Sequence, residues 1–177
     1  MLIAAGISHR TARLEDRERV ALQRPEVPEL LGRYRDLFGN GVVLATCNRT
    51  EVYVHASHGN AEVPPEELVE QLAGFKGLDF PSDFPPFYCL QGPEVAQHLF
   101  SVASGVDSMI LGEGEILGQV RQALSAAAEA NSLDAALSRL IHEALRTGKR
   151  ARTETPISRY AVSVSSAAVD LARSIPL

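Results

Sequence analysis

The chain has no tryptophan, and only 2 cysteines and 2 methionines among 177 residues. Two thiols cannot build a disulfide framework, which removes the small cross-linked secreted scaffolds from consideration. Residues 1–7 lack the basic start and the length of a signal peptide, so the cytoplasm is the expected compartment. No stretch approaches the ~20 apolar residues of a membrane span, so no membrane contact is expected. Positive charge is scarce too: with a net charge of -5 and a pI near 5.5, any nucleic-acid contact must come from a local patch. No glycine-rich fingerprint follows a strand and opens a helix, because Gly112-Glu113-Gly114 lacks a third glycine; no nucleotide-binding unit is expected. No histidine stands at metal-ligand spacing from either cysteine, so no metal site is expected. What remains is ordinary globular composition, 45% apolar and 22% charged, long enough for one cored domain with an appended element.

Residues 42–56, VVLATCNRTEVYVHA, hold two strand-like runs around a polar break. Residues 42–45 are continuously apolar, as in a strand buried on both faces, whereas 51–56 alternate with Val52, Val54 and Ala56 on one side. The break Thr46-Cys47-Asn48-Arg49 therefore reads as a turn that sets a thiol and a guanidinium together at the rim of a sheet. A reactive cysteine needs nearby positive charge or free backbone N–H groups, and solvent access. On local chemistry two readings of Cys47 stand, a nucleophile or a buried structural cysteine. Cys89, in Phe87-Tyr88-Cys89-Leu90 with no charge beside it, reads as structural.

In chain order, residues 2–7 read as a strand, 14–22 and 27–38 as helices, and 39–41 as a glycine-bounded turn into the central hairpin. Pro64-Pro65 opens a helix to about residue 75, residues 77–86 are a loop, and 87–90 form a fourth strand. That order is the ferredoxin-like split βαβ: an α+β fold, an antiparallel sheet with helices on one face. Helices follow over 93–103, 115–131, 133–152 and 162–174, and the Pro156 region is the expected boundary. Two units result, 1–156 and a helical extension, 157–177.

His98 is flanked at helical spacing by Val95 and Val102, so it is either a core histidine or one held in a dry pocket where it could move a proton. Residues 107–120, DSMILGEGEILGQV, place Glu113 and Glu115 around Gly114 at a helix start, with Gln119 one turn beyond Glu115. Carboxylates there could hold an ammonium, while Ser108 and Arg49 could hold a carboxylate, a pairing that suits an amino acid. Arg146, Lys149 and Arg150 share one helix face with Arg152 just beyond, either a solvated face or a local phosphate-contacting stripe.

Five blocks together resemble the amino-terminal catalytic domain of glutamyl-tRNA reductase: GISHRTA (6–12), VVLATCNRTEVY (42–53), VASGVDSMILGEGEILGQV (102–120), GKRARTET (148–155) and AVSVSSAAVDLA (161–172). They span nearly the whole chain in the family's order. The resemblance implies that the glutamyl group of glutamyl-tRNA is reduced with NADPH to glutamate-1-semialdehyde, the entry to 5-aminolevulinate, porphyrin and tetrapyrrole biosynthesis. It implies Cys47 as the nucleophile that forms a thioester, and His98 as the activity-critical histidine. Thr46, Cys47, Asn48, Arg49, Ser108, Glu113, Gly114, Glu115 and Gln119 fall at substrate-binding positions. Glu115 stands where the family usually has glutamine, and a carboxylate cannot donate the hydrogen bonds of an amide. Arg10 stands where lysine is common. The resemblance further implies a homodimer and the downstream glutamate-1-semialdehyde aminomutase as a partner. It also implies an NADPH domain and a dimerisation domain after residue 177, neither present in this sequence, with residues 157–177 the start of the linker. The alternative expectation is a fragment acting only as a tRNA-binding module or a slow glutamyl-tRNA esterase.

Overall fold

The structure, a computed structural model, describes residues 1–56, 63–78, 86–158 and 172–173. Its elements are β1 (Leu2–Ser8), α1 (Leu14–Val20), α2 (Glu26–Phe38), β2 (Val42–Ala45), β3 (Arg49–His55), α3 (Pro65–Phe75), β4 (Tyr88–Gln91), α4 (Pro93–Ala103), α5 (Glu115–Glu129) and α6 (Ala135–Glu154), then a 3₁₀ turn, Pro156–Ser158. The four strands pair antiparallel in the order β2-β3-β1-β4, the ferredoxin-like arrangement expected from the element order. Most of the anticipated helix at 162–174, and residues 79–85 of the anticipated loop, lie outside the described residues.

Strand alternation sends side chains to two different environments. Ile3, Ala5, Ile7, Val52 and Val54 lie buried on one face, toward α3 and α2. Those two helices are locked together where the Tyr34 hydroxyl donates to the Leu68 carbonyl. This is the single helical layer that a split βαβ requires. The additional helices close the opposite face: Leu44 and Tyr53 meet Leu99 of α4, Val120 of α5 and Ile141 of α6 around one small void. Each such large apolar side chain contributes about 1.5–3 kcal/mol on burial. Both faces are therefore covered around the middle of β3, and a polar side chain there must find its partners inside.

Local chemistry sets the ends. Gly39, with φ 79°, terminates α2 in the left-handed conformation that a side chain would strain. The Asn40 side chain then donates to the His55 carbonyl and accepts from the His55 amide, both at 2.7 Å, so it closes the hairpin before β2 begins. Asp134 caps α6 by accepting from the Leu137 amide at 2.8 Å and also meets His55 Nδ1 at 2.6 Å, tying the end of β3 to the third of the added helices. Among the described residues no helix is long and apolar enough to cross a membrane.

Candidate active site

The β2–β3 turn is held from within. The Thr46 hydroxyl accepts from the Asn48 and Arg49 amides at 3.1 and 3.2 Å, and the Thr46 amide donates to the Arg49 carbonyl at 2.8 Å. Cys47 is thereby left at the apex, exposed to solvent. The turn is also braced from outside, where Arg17 of α1 donates Nη1 to the Cys47 carbonyl at 3.2 Å and the His9 amide donates to the Asn48 carbonyl at 2.9 Å. The thiol is free and accessible, and the Arg17 cation next to it is engaged by the backbone carbonyl of the same residue.

Two residues down the strand the chemistry changes. Arg49 is 3% exposed and Glu51 1%, and Arg49 Nη1 donates to Glu51 Oε1 at 2.7 Å. Arg49 Nη2 also donates to the Asp107 carboxylate at 3.1 Å and to its carbonyl, and Arg10 reaches the same carboxylate. The expected free guanidinium fork for a ligand carboxylate is therefore already engaged by two protein carboxylates. Glu51 accepts further hydrogen bonds from the hydroxyls of Tyr53 and Tyr88, and His98 Nε2 lies 2.9 Å from its Oε1. Burial pushes the Glu51 carboxyl up, but the bonds from His98, Arg49 and Tyr53 outweigh it and bring its pKa to about 2. Burial opposes the Arg49 charge, but Glu51, Tyr88 and Asp107 more than compensate and raise its pKa. The tyrosines are raised by burial and by the Glu51 anion. Room for this carboxylate comes from Gly6 of β1, opposite Glu51, where an added Cβ would lie 2.7 Å from Glu51 Cγ.

His98 thus belongs to the buried network rather than to the thiol: among the described residues no hydrogen bond joins it to Cys47. Its ring stacks edge-on against Tyr88 with centroids 5.4 Å apart. It also lines a cleft of about 560 Å³ together with Ser8, Arg10, Gln97, Ser101 and Asp107. On the other flank of the hairpin, Ala45 and Gln119 line a second cavity of about 470 Å³ with Arg24, Val43 and Gln122. The hairpin that carries Cys47 lines this second cavity through Val43 and Ala45, whereas the His98 cleft is lined from β1, β4, α4 and the segment after it.

Residues 105–112 close into a loop where the Gly112 amide donates to the Gly105 carbonyl at 2.9 Å; both glycines have positive φ, 78° and 74°. The loop carries Asp107 into the network and leaves Ser108 half-buried, with Val106, Met109 and Leu111 exposed. Its far side is braced by Arg152, which donates to the Glu113 carbonyl at 2.8 Å and packs under Gly114, the N-cap residue just before α5. Arg152 is consequently not part of the exposed basic stripe. Arg146, Lys149 and Arg150 are exposed, but Arg150 is paired with Glu154 at 2.9 Å and Arg146 lies 3.9 Å from Glu143. Glu115 is exposed in the first turn of α5.

Cys89 departs from expectation: its side chain reaches solvent instead of filling the core, because it lies on β4, at the edge of the sheet. Partial burial and the Glu66 carboxylate still push its thiol pKa up. The sequence pattern also missed Glu51, Tyr53 and Tyr88 as site residues. A lone glutamate alternating with valines reads as a solvated face, and only a charged residue two positions away, Arg49, hinted otherwise.

Comparison with known proteins follows the same residues. A family model described as the glutamyl-tRNAGlu reductase N-terminal domain matches residues 5–155. The chain is 40% identical over 176 residues to glutamyl-tRNA reductase of Pseudoalteromonas translucida, covering 98% of this chain and 41% of that protein. It is 42% identical over 185 residues to glutamyl-tRNA reductase of Chlorobium limicola, with the same coverage of 98% and 41%. The solved structure of glutamyl-tRNA reductase from Methanopyrus kandleri superimposes with a TM-score of 0.76 at 38% identity, covering 97% of this chain and 39% of that one. The chain spans about two fifths of the length of these relatives. On sequence and fold together, the chain belongs to the glutamyl-tRNA reductase family, matching its amino-terminal domain.

Proposed function

We propose that this chain accepts the glutamyl group of glutamyl-tRNA on Cys47 as a thioester. The sulfur attacks the ester carbonyl carbon as the thiol proton passes to a base. The C–S bond forms, the C–O bond to the terminal ribose breaks, and the ribose hydroxyl leaves with a proton. The observation that carries this reading is the exposure of Cys47 at the apex of a rigidly braced turn. A thiolate attacks an ester where water would be slow, and the thioester is more reactive toward hydride than the ester it replaces.

In this reading His98 exchanges protons through the solvent of its cleft, since it stands in no direct contact with the thiol. Thr46, Asn48, Ser108, Glu113, Gly114, Glu115 and Gln119 shape the glutamyl site around the hairpin. Arg49, paired with Glu51 and Asp107, holds the floor beneath the hairpin, and Arg146, Lys149 and Arg150 meet the tRNA backbone.

NADPH is the hydride donor that the family implies, and the described residues do not fit it. The passage from β4 through Gly92 into α4 has a lone glycine and puts Pro93 where a pyrophosphate needs a helix N–H. We assign reduction to glutamate-1-semialdehyde to a further domain of the kind the family implies, in a cytoplasmic homodimer feeding an aminomutase in tetrapyrrole synthesis. Alone, the chain is expected to lose the acyl group slowly to water. Intact-mass analysis after incubation with glutamyl-tRNA tests the reading: a glutamyl adduct on the chain that Cys47→Ser abolishes is expected. Equal discharge by the serine variant overturns it.

A further inference from the structure

We propose that Glu51 is a positioning residue for the acylation assigned above to Cys47: its carboxylate holds the Nε2 proton of His98, so that Nδ1 is the ring nitrogen that works in the cleft. The argument begins with hydrogen-bond capacity. An ionised carboxylate only accepts, so the contact of 2.9 Å between His98 Nε2 and Glu51 Oε1 requires the proton on Nε2. Arg49 and Tyr88 donate to the same Oε1 and Tyr53 donates to Oε2, so every other partner of the carboxylate is a donor too. Neutral His98 then keeps its lone pair on Nδ1, for which the described residues supply no hydrogen-bond partner, and the ring lines a cleft of about 560 Å³. A proton taken there creates an imidazolium directly against the Glu51 anion, and the same nitrogen can return it to the departing hydroxyl.

The surroundings keep this device balanced. Facing His98 are Glu94 from its own helix, Tyr88 from β4, Arg10 beyond β1 and Asp107 from the 105–112 loop, with Glu51 from β3 and Arg49 behind it. Arg10 and Arg49 are matched by Asp107 and Glu51, so the added proton on His98 is stabilised by its immediate neighbour rather than by a general negative field. The Tyr88 ring, edge-on to the imidazole at 5.4 Å, limits its rotation and keeps Nε2 on the carboxylate.

Two measurements test the proposal on this chain. In the wild type, ¹⁵N NMR of the neutral His98 ring should report a protonated Nε2 and a bare Nδ1; the opposite tautomer overturns the assignment without any variant. In Glu51→Gln, the rate of glutamyl adduct formation should fall and the ¹⁵N spectrum of the His98 ring should lose its single Nε2-protonated form, because an amide can donate to the ring as well as accept from it. An unchanged acylation rate in a variant whose His98 ring has changed tautomer overturns the proposal. Lack of any adduct in the wild type counts against acylation of Cys47 instead, and leaves the NMR result to decide the role of Glu51.

Discussion

Replacing Glu51 with glutamine removes a charge and almost no volume, and its effect on stability should depend on pH in a defined direction. Folding lowers the Glu51 carboxyl from 4.5 to about 2, so the unfolded chain binds its proton first as pH falls. The stabilisation is present in full above about pH 4.5, where both states are ionised, and is lost as pH falls toward 2. At about 1.4 kcal/mol per pH unit the fall corresponds to roughly 3 kcal/mol, of which about 2 kcal/mol should be gone by about pH 3. At neutral pH the variant also leaves Arg49 buried with one carboxylate partner fewer, and breaking a buried pair costs about 3–5 kcal/mol. The assay is urea unfolding followed by far-UV circular dichroism, since the chain has no tryptophan to report by fluorescence. Wild type should exceed Glu51→Gln clearly at pH 7, and the gap should narrow as pH falls. Pairs remote from Glu51, such as the partly buried Lys76–Glu26 and the exposed Arg150–Glu154, are the same in both proteins and cancel in the difference. A gap that stays constant from pH 7 to pH 3 would refute the claim that Glu51 is held ionised by its partners.

Two glycines in helices should respond oppositely to alanine. Gly118, exposed in α5 with nothing near an added Cβ, should gain about 0.5–1 kcal/mol. Gly148 of α6, where a Cβ would overlap the Ala103 carbonyl of α4 and approach Leu117, should lose about 1–3 kcal/mol; thermal unfolding separates the two signs. For tRNA, Lys149→Ala should lower the slope of log affinity against log salt by about 1, whereas Arg152→Ala should leave that slope unchanged and reduce acylation through the loop it braces. Equal slopes for wild type and Lys149→Ala in filter binding would remove α6 from the tRNA interface.

Much of this protein was legible in its residues. Among the described residues, apolar periodicity and the glycine and proline punctuation located ten helices and strands closely. Their order implied the sheet, because a strand pair joined by a short turn and flanked by crossovers has few ways to close. Cys47 could be placed at a turn because Thr46-Cys47-Asn48-Arg49 interrupts two strand patterns, and a polar interruption there has nowhere to go but the rim. Partners were not legible. Alternation put Glu51 opposite Val52 and so pointed it toward solvent, and nothing in the local pattern says that α4, α5 and α6 return to cover that face. His98 meets Glu51 across 47 residues and Arg49 meets Asp107 across 58, contacts that exist only once the added helices pack on the sheet. Strand and helix identity follows from short-range sterics and hydrophobic pattern, which each segment carries itself. Which buried charge answers which other charge is decided by chain crossings, and those belong to the folded whole.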